Sequence, residues 1–381
     1  MPASLQKKSA VAYNVSASDD QVIEELAGAG KTRVFATDVV LATLMVAPRT
    51  VQPWDIVINR VEDRLYLDKR DGGPLDYLTV NENAVDPPSE GVDKSSINAP
   101  AMLAQEANEI NRQFIAQVAS NKAGGEKFER ENPFVNEPED DEKTVAAYRY
   151  RLFDLSAKQV VGEREGGAAG EEDNEEEGEE EADKCIMAVR TELNAVDKGP
   201  NDHEAYLFVR ALNQFDPRAA GAGGALDWRT KMQSNRGAVV ATERKNNSAK
   251  LAKWSLQAMM SDAAYLKLGY VGRADPSKRT AHKVYTVEKY KPTDLLKHLN
   301  VNVENAWGIA KAFIDLCLTL PEGRYVLVRD PIKPSMLLYA VPQGTFDNVD
   351  EDEDEDEEAG ENVTSGGAVS GAGVSPAGKA L

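Results

Sequence analysis

Cysteine and histidine are scarce in this chain. Two cysteines in 381 residues, Cys185 and Cys317, are too few for a disulfide scaffold, and no CxxC pair offers a zinc site. Both are expected as reduced, buried thiols of an intracellular protein. Three histidines, His203, His282 and His298, leave little from which to build an imidazole metal centre. No apolar run approaches the ~18 residues of a membrane span, and the N-terminus shows no secretory h-region. A soluble, cytoplasmic chain with no membrane partner is expected. GxGxxG and the P-loop are both absent, which removes the usual phosphate cradles. No internal repeat marks a solenoid or propeller.

Acid is abundant, and its placement matters more than its total. The formal net charge of −20 argues at first against nucleic acid as a partner. However, "EEDNEEEGEEE" (171–181) holds nine acids and "DEDEDEDEE" (350–358) nine more, with no base in either. Setting those eighteen charges aside leaves −2 for the rest of the chain. The two blocks have the composition of disordered, solvated segments, and the body is close to neutral. Such a body can bind RNA through local basic surface. A hydrophobic fraction of 41% is enough for a sizeable core, in one large domain or two modest ones.

Residues 1–30 read as a polar segment with a weak helical pattern in "DDQVIEELAGAG". The body is expected over 31–346, and a disordered acidic, Gly/Ala-rich tail over 347–381. Periodicity predicts helices over 37–47, 98–120, 248–266 and 303–320. Thr37 or Asp38 caps the first, and Pro48 follows its end. Pro100 sits near N1 of the second, whose apolar stripe is Leu103, Ala107, Ile110, Phe114 and Val118. The last carries Val303, Trp307, Ala310, Ile314 and Cys317 on one face. Hairpins are expected over 54–71, turning at Glu62-Asp63, and over 324–342. Strands are expected at 147–153, 185–193, 205–213, 237–246 and 282–290. Residues 72–91 read as a long loop with a short strand inside it, 121–145 as loop, and 156–184 as an acidic insertion. Without a regular βαβ rhythm the expected class is α+β, a mixed β-sheet core with surrounding helices.

Several strands carry acids at inward positions. In "IMAVRTEL", Ile186, Ala188, Arg190 and Glu192 would share a face. In "GAVVATERKN", read as a strand, Ala241, Glu243 and Lys245 would do the same. Asp227 stands directly before Trp228. Glu192, Asp227 and Glu243 converging from neighbouring elements could hold a divalent metal, with Lys245 orienting a water or a phosphate. Equally, these acids could pair with Arg190, Arg229 or Lys245 on a solvated sheet face, since charged side chains are usually exposed or paired.

Longer stretches carry a resemblance. "VFATDVVLATLM", "WDIVINRV", "LTVNENAVDPP", "ENPFV", "AYRYR", "LDWRTKMQSNRGAVVATERKNNSAKLAKW", "YLKLGYVGR" and "VNVENAWGI" occur in order between about residues 10 and 347. Together they resemble the d-subunit family of eukaryotic translation initiation factor 3. The resemblance implies a fold similar to the decapping exoribonucleases. It also implies binding of the mRNA 7-methylguanosine cap and partners in the other subunits of that factor and the small ribosomal subunit. No counterpart of the family's N-terminal docking tail is seen, so either the cap-binding domain alone or a short gene model is expected.

The family's cap and RNA contacts fall on Asp38, Val51 and Gln52 around the first helix, and on Asn108, Asn111 and Arg112 on the second. The last three are spaced i, i+3, i+4 and share a helical face. Gln52 stands where animal members carry an aromatic residue, and Arg112 where they carry histidine. An inserted loop, the RNA gate, would comprise Pro74, Leu75, Asp76, Tyr77, Leu78, Thr79, Val80, Asn81, Glu82, Asn83, Ala84, Val85, Asp86, Pro87 and Pro88. Against the decapping enzymes, Glu192 fits the first catalytic acid and Glu243 with Lys245 an "ExK" pair. The middle "ExD" pair is broken, because Ala225 replaces its acid and only Asp227 remains. Those four residues then read as a vestigial pocket.

Three functions follow. The first is a cap-binding module that is not an enzyme and needs no cofactor. The second is a metal-dependent 5′-end nuclease or decapping pyrophosphohydrolase using Glu192, Asp227, Glu243 and Lys245. The third is a scaffold whose acidic blocks meet basic ribosomal surfaces. Trp228, next to Asp227, is the tryptophan to test for contact with a base, and Trp307 is expected to be structural.

Overall fold

In the computed structural model the described residues are 2–80, 96–119, 128, 130–135, 137, 140, 143–156, 185–198, 204–219, 221–330, 332–333, 335–346 and 379–380. The acidic insertion beyond Ser156, the acidic block of the tail, and Asn81, Glu82, Asn83, Ala84, Val85, Asp86, Pro87 and Pro88 lie outside them.

The N-terminal half begins with β1 (Ala3–Ser4), α1 (Gln21–Gly28), β2 (Val34–Thr37) and α2 (Asp38–Met45). β3 (Trp54–Val61), β4 (Arg64–Asp68), α3 (Pro100–Val118), β5 (Ala147–Asp154), β6 (Ile186–Leu193), β7 (Ala195–Lys198) and β8 (Glu204–Asn213) follow. Three helices come next, α4 (Trp228–Ser234), α5 (Arg236–Asn246) and α6 (Ser248–Met260). The chain then forms β9 (Tyr265–Arg273), β10 (His282–Tyr290), α7 (Pro292–His298) and α8 (Val303–Leu318). It closes with β11 (Gly323–Arg329), β12 (Met336–Val341) and β13 (Lys379–Ala380). The last is a two-residue pairing onto β12 inside the stretch expected to be disordered.

Two mixed sheets result. One runs β1-β10-β9-β8-β7, the other β13-β12-β11-β3-β4-β2-β6-β5. β8 and β9 are parallel, as are β2 with β4 and β2 with β6. α6 touches β6, β8, β9, α2 and α7. Its buried residues include Ala249, Leu251, Ala252, Leu256 and Ala258, so it is covered on nearly every side, as expected of a helix sealed inside a core. One hydrophobic cluster runs from α2 and the larger sheet through α6 to β9 and α8. The architecture is α+β with two mixed sheets, as the unordered mixture of strand and helix patterns predicted.

α3 packs on the smaller sheet, where Ile110 and Phe114 meet Val209, Ala211 and Val271. Gly269 makes that approach possible: a Cβ there would lie 2.4 Å from the Phe114 ring. The first thirty residues are tied to the body. β1 pairs with β10, and Asp20 caps α1 by accepting from the Val22 and Ile23 amides.

Several sequence readings are corrected. Residues 237–246, expected as a strand, belong to helix α5. Val239, Val240, Glu243 and Asn246 are its buried residues, a helical rather than a two-residue repeat. A Val-Val pair is too short a signal to separate the two periods, and burial of these four residues as one face decided the outcome. The helix expected over 248–266 ends at Met260, and Tyr265 begins β9, a central strand. Within the loop 72–91, the described part, 72–80, holds a 3-10 turn, Pro74–Asp76, and no strand, and the rest lies outside the described residues. Trp228 is fully buried and contacts Tyr270 and Tyr285 edge-on, so it offers no open face to a base.

Candidate functional site

The candidate residues fall into three polar groups. The first joins α2 to β6. Asp38 opens α2 after Thr37 and is buried. Its carboxylate accepts the Glu192 backbone N–H at 2.9 Å and the Gln257 side-chain amide at 3.0 Å. Burial, then the nearby Glu192 charge, push its pKa up to about 6. Glu192 is gripped by the Arg210 fork at 3.1 and 3.0 Å, and Asn194 donates to it at 2.6 Å. Arg210 lies 3.8 Å above the Phe208 ring. A residue assigned to cap contact and one assigned to the old catalytic set therefore share one network.

The second group surrounds Glu243, which is 2% exposed. One of its oxygens accepts from Trp228 Nε1 at 3.2 Å and the other from Asn247 Nδ2 at 3.1 Å. Burial raises its pKa to about 7, against the opposing pull of those bonds and of the Lys250 charge. The lysine facing Glu243 is thus Lys250 of α6. Lys245 is exposed on the other side of α5, because i and i+2 diverge on a helix. Lys250 is 5% exposed and donates to the Thr79 carbonyl, with Asn247 Oδ1 at 3.5 Å. Nothing in the sequence singled out Lys250. The one signal it carried was its position in "KLAKW", on a helix too apolar to leave a lysine in water.

Asp227 belongs to neither group. It caps α4, and Arg229 holds it through Nε at 2.9 Å and Nη2 at 2.7 Å. That bond to Arg229 lowers its pKa. Among the described residues no three His, Cys, Asp or Glu side chains form a group suited to a metal ion. Each of the three acids is already held by a guanidinium, an indole or an amide. A divalent cation would first have to displace Arg210 and Arg229, so this donor set does not fit one.

The third group is the polar side of α3. Asn108 Oδ1 accepts the Leu78 N–H at 2.8 Å, and its Nδ2 donates to the Asp76 carbonyl at 2.9 Å. Asn111 Oδ1 accepts the Ala211 N–H at 3.0 Å. Arg112 is exposed, beside Glu109. Asn108 and Asn111 therefore serve protein backbone, and only Arg112 projects into solvent. Val51 and Gln52 lie on the turn after α2, with Val51 37% exposed and the Gln52 backbone bonded to Thr50.

Asp76 fixes the loop above α3. It accepts from Asn14 at 2.6 Å and the Gly72 N–H at 2.8 Å, and it pairs with Lys69 at 3.1 Å. Leu78 and Val80 pack with Leu103, Ala107, Phe215, Ala222 and Ala225. The described part of the gate-like segment, Pro74 to Val80, thus lies against α3, and Thr79 is held by α6.

Comparison with known proteins adds the family. Residues 1–340 match the model of eukaryotic translation initiation factor 3 subunit 7 (eIF-3). The D subunit of eukaryotic translation initiation factor 3 from Pyricularia oryzae is 47% identical over 346 residues, 90% of this chain and 56% of that protein. The same-named protein of Botryotinia fuckeliana is 46% identical over 357 residues, 92% of this chain and 57% of its own length. The chain spans a little over half the length of the curated relatives it matches. Among solved structures, Scheffersomyces stipitis Rai1 aligns over 85% of this chain and 73% of its own, with 13% identity and a TM-score of 0.45. K. lactis Dxo1 aligns over 82% and 69%, with 11% identity and a TM-score of 0.40. The chain belongs to the eukaryotic translation initiation factor 3 subunit 7 family, whose curated members are named as the D subunit of that factor.

Proposed function

We propose that this chain is the mRNA cap-binding part of a subunit of eukaryotic translation initiation factor 3, acting in cap-dependent initiation on selected mRNAs. Its partners in this reading are capped mRNA, the other subunits of the factor and the small ribosomal subunit, in the cytoplasm. Family membership over residues 1–340 carries the reading. The exposed Arg112 beside Asn111 supports it, because a planar guanidinium suits phosphate and base edges. Asp38, Val51, Gln52, Asn108, Asn111 and Arg112 are the proposed contacts, and the segment from Pro74 to Pro88 the gate. Glu192, Asp227, Glu243 and Lys245 act in this reading as a scaffold inherited from a nuclease-like pocket. The engagement of the first three by other side chains favours binding over catalysis.

The test incubates purified protein with 5′-capped RNA and 5′-triphosphate RNA, each end-labelled, with and without Mg²⁺. Crosslinking to capped RNA that cap analogue competes away, with no released product, is the expected result. Metal-dependent release of cap or mononucleotides would replace this reading with a 5′-end hydrolase.

A further inference from the structure

The helices α4 and α5 carry the cations Arg229, Lys231, Arg236, Arg244 and Lys245, and the one acid within them, Glu243, is buried. Asp227 holds Arg229, and Glu288 accepts from Arg236 at 3.0 and 2.8 Å. Among the described residues no carboxylate pairs with Lys231, Arg244 or Lys245. Those three charges sit at the two ends of α5. Lys231 is exposed at its foot, where its carbonyl accepts the Asn235 N–H at 2.7 Å. Arg244 and Lys245 lie in its last turn, about 12 Å beyond Arg236 at the helical rise.

Between the two ends, the outward side of α5 is Gly237, Ala238 and Ala241, none larger than a methyl group. A Cβ built on Gly237 meets no heavy atom within 4 Å, so this side is open. The layout discriminates among anionic partners. Single-stranded RNA takes aromatic platforms for its bases, and the one aromatic residue of the two helices, Trp228, is fully buried. A phosphate backbone also carries charge at every nucleotide, whereas the middle of this face has no cation to meet it. A protein helix suits both features. Carboxylates two turns apart reach the two cationic ends, and small side chains on α5 let the partner backbone come close.

We propose that the outward face of α5 docks an acidic helix of another subunit of the factor. Its carboxylates lie about seven or eight residues apart, one meeting Lys231 and the other Arg244 and Lys245. Ionic contacts at such a rim fix orientation and partner choice. This inference rests on membership of the factor and not on cap binding, so equal crosslinking of capped and uncapped RNA would count against the cap reading alone.

The experiment is zero-length carbodiimide crosslinking of the chain assembled with the other subunits, read by mass spectrometry. The reagent joins a lysine amine to a carboxylate only where the two are in contact. Lys231 and Lys245 should each link to one segment of one partner, through acids about two turns apart. Ala241→Trp fills the smooth middle of the face and should lower both crosslinks about tenfold. The Lys311–Asp315 pair of α8, 2.8 Å apart, should crosslink as before and report that the variant is folded.

Four results overturn the proposal. In the first, neither lysine links to another subunit. In the second, both link only to acids of this same chain. In the third, the partner crosslinks form but Ala241→Trp leaves them unchanged. In the fourth, single-stranded RNA protects Lys231 and Lys245 from acetylation in the assembled factor while no protein crosslink forms, which would make this face an RNA contact instead.

Discussion

Arg190 Nη1 donates to Asp20 Oδ2 at 2.7 Å, and both side chains are buried. Tyr150 adds its hydroxyl to the same carboxylate at 2.9 Å, and Phe134 and Tyr148 lie against the guanidinium. A strand of the larger sheet is thereby pinned to the N-terminus of α1. Removing one partner of such a pair leaves an uncompensated buried charge, which costs about 3–5 kcal/mol. Asp20→Ala should therefore lower the urea midpoint by that equivalent, and Asp20→Asn by less. Equal, small effects in both variants would show that the pair is not buried in solution.

A steric prediction comes from Gly269. The added methyl of Gly269→Ala would meet the Phe114 ring, and overpacking of this kind costs about 1–3 kcal/mol or more. Phe114→Leu makes room, so the double variant should be more stable than the sum of the two single effects predicts. Thermal unfolding of the three proteins checks this.

Glu106 sits 4% exposed on α3 between Arg273, at 2.5 Å, and His282, at 2.7 Å. Burial opposes its ionisation, but the bonds from Arg273 and His282 prevail and hold its pKa below the ordinary value. Arg273→Leu should destabilise by about 3–5 kcal/mol, and adding Glu106→Gln should recover part of that loss by removing the stranded charge. Denaturant titration of the single and double variants measures the recovery.

The Glu243 shift carries a pH dependence. Its folded pKa is raised from 4.5 to about 7, so between those values the folded state holds a proton that the unfolded state has released. Stability should then fall as pH rises through this window and level off above 7. Asp38, raised to about 6, acts in the same direction lower in the range. Glu243→Gln keeps a neutral partner for Trp228 and Asn247 and should flatten the upper part of the slope. Asp38→Asn should flatten the lower part. Urea unfolding at half-unit pH steps from 4 to 8 distinguishes the two.

Arg112 is the exposed cation of the proposed RNA face. Arg112→Ala should weaken capped and uncapped RNA by the same factor and lower the salt slope by about 0.7, as expected for one phosphate contact. Anisotropy titrations at several salt concentrations measure both. A selective loss for capped RNA would make Arg112 a cap contact instead.

The sequence by itself determined the elements whose signals are long or bounded. α3, with Pro100 at its start and a stripe of Leu103, Ala107, Ile110 and Phe114, was legible because nineteen residues sample the helical period several times. So were the hairpin turning at Glu62-Asp63 and the closing hairpin, where alternation and turn residues agree. Glu192 and Glu243 were recognisable as unusual, since acids inside apolar patterns need a reason, whereas Asp38 read only as a helix cap and, through the resemblance, as a contact. Their partners were not recognisable. Arg210 meets Glu192 from another strand, Gln257 reaches Asp38 across 219 positions of sequence, and Lys250 rather than Lys245 lies near Glu243.

Only tertiary structure decided these pairings, and the fate of residues 237–246 shows why. A short Val-Val segment is compatible with either period, and the choice between them decides whether Glu243 and Lys245 share a face, as on a strand, or diverge, as on a helix. Burial of Val239, Val240, Glu243 and Asn246 as one face fixed the helix and sent Lys245 to solvent. Local propensities are worth tenths of a kcal/mol per residue, whereas burying a side chain is worth about 1.5–3 kcal/mol. Where the two compete over a few residues, the packing surface prevails, and that surface is built from segments far apart in the chain.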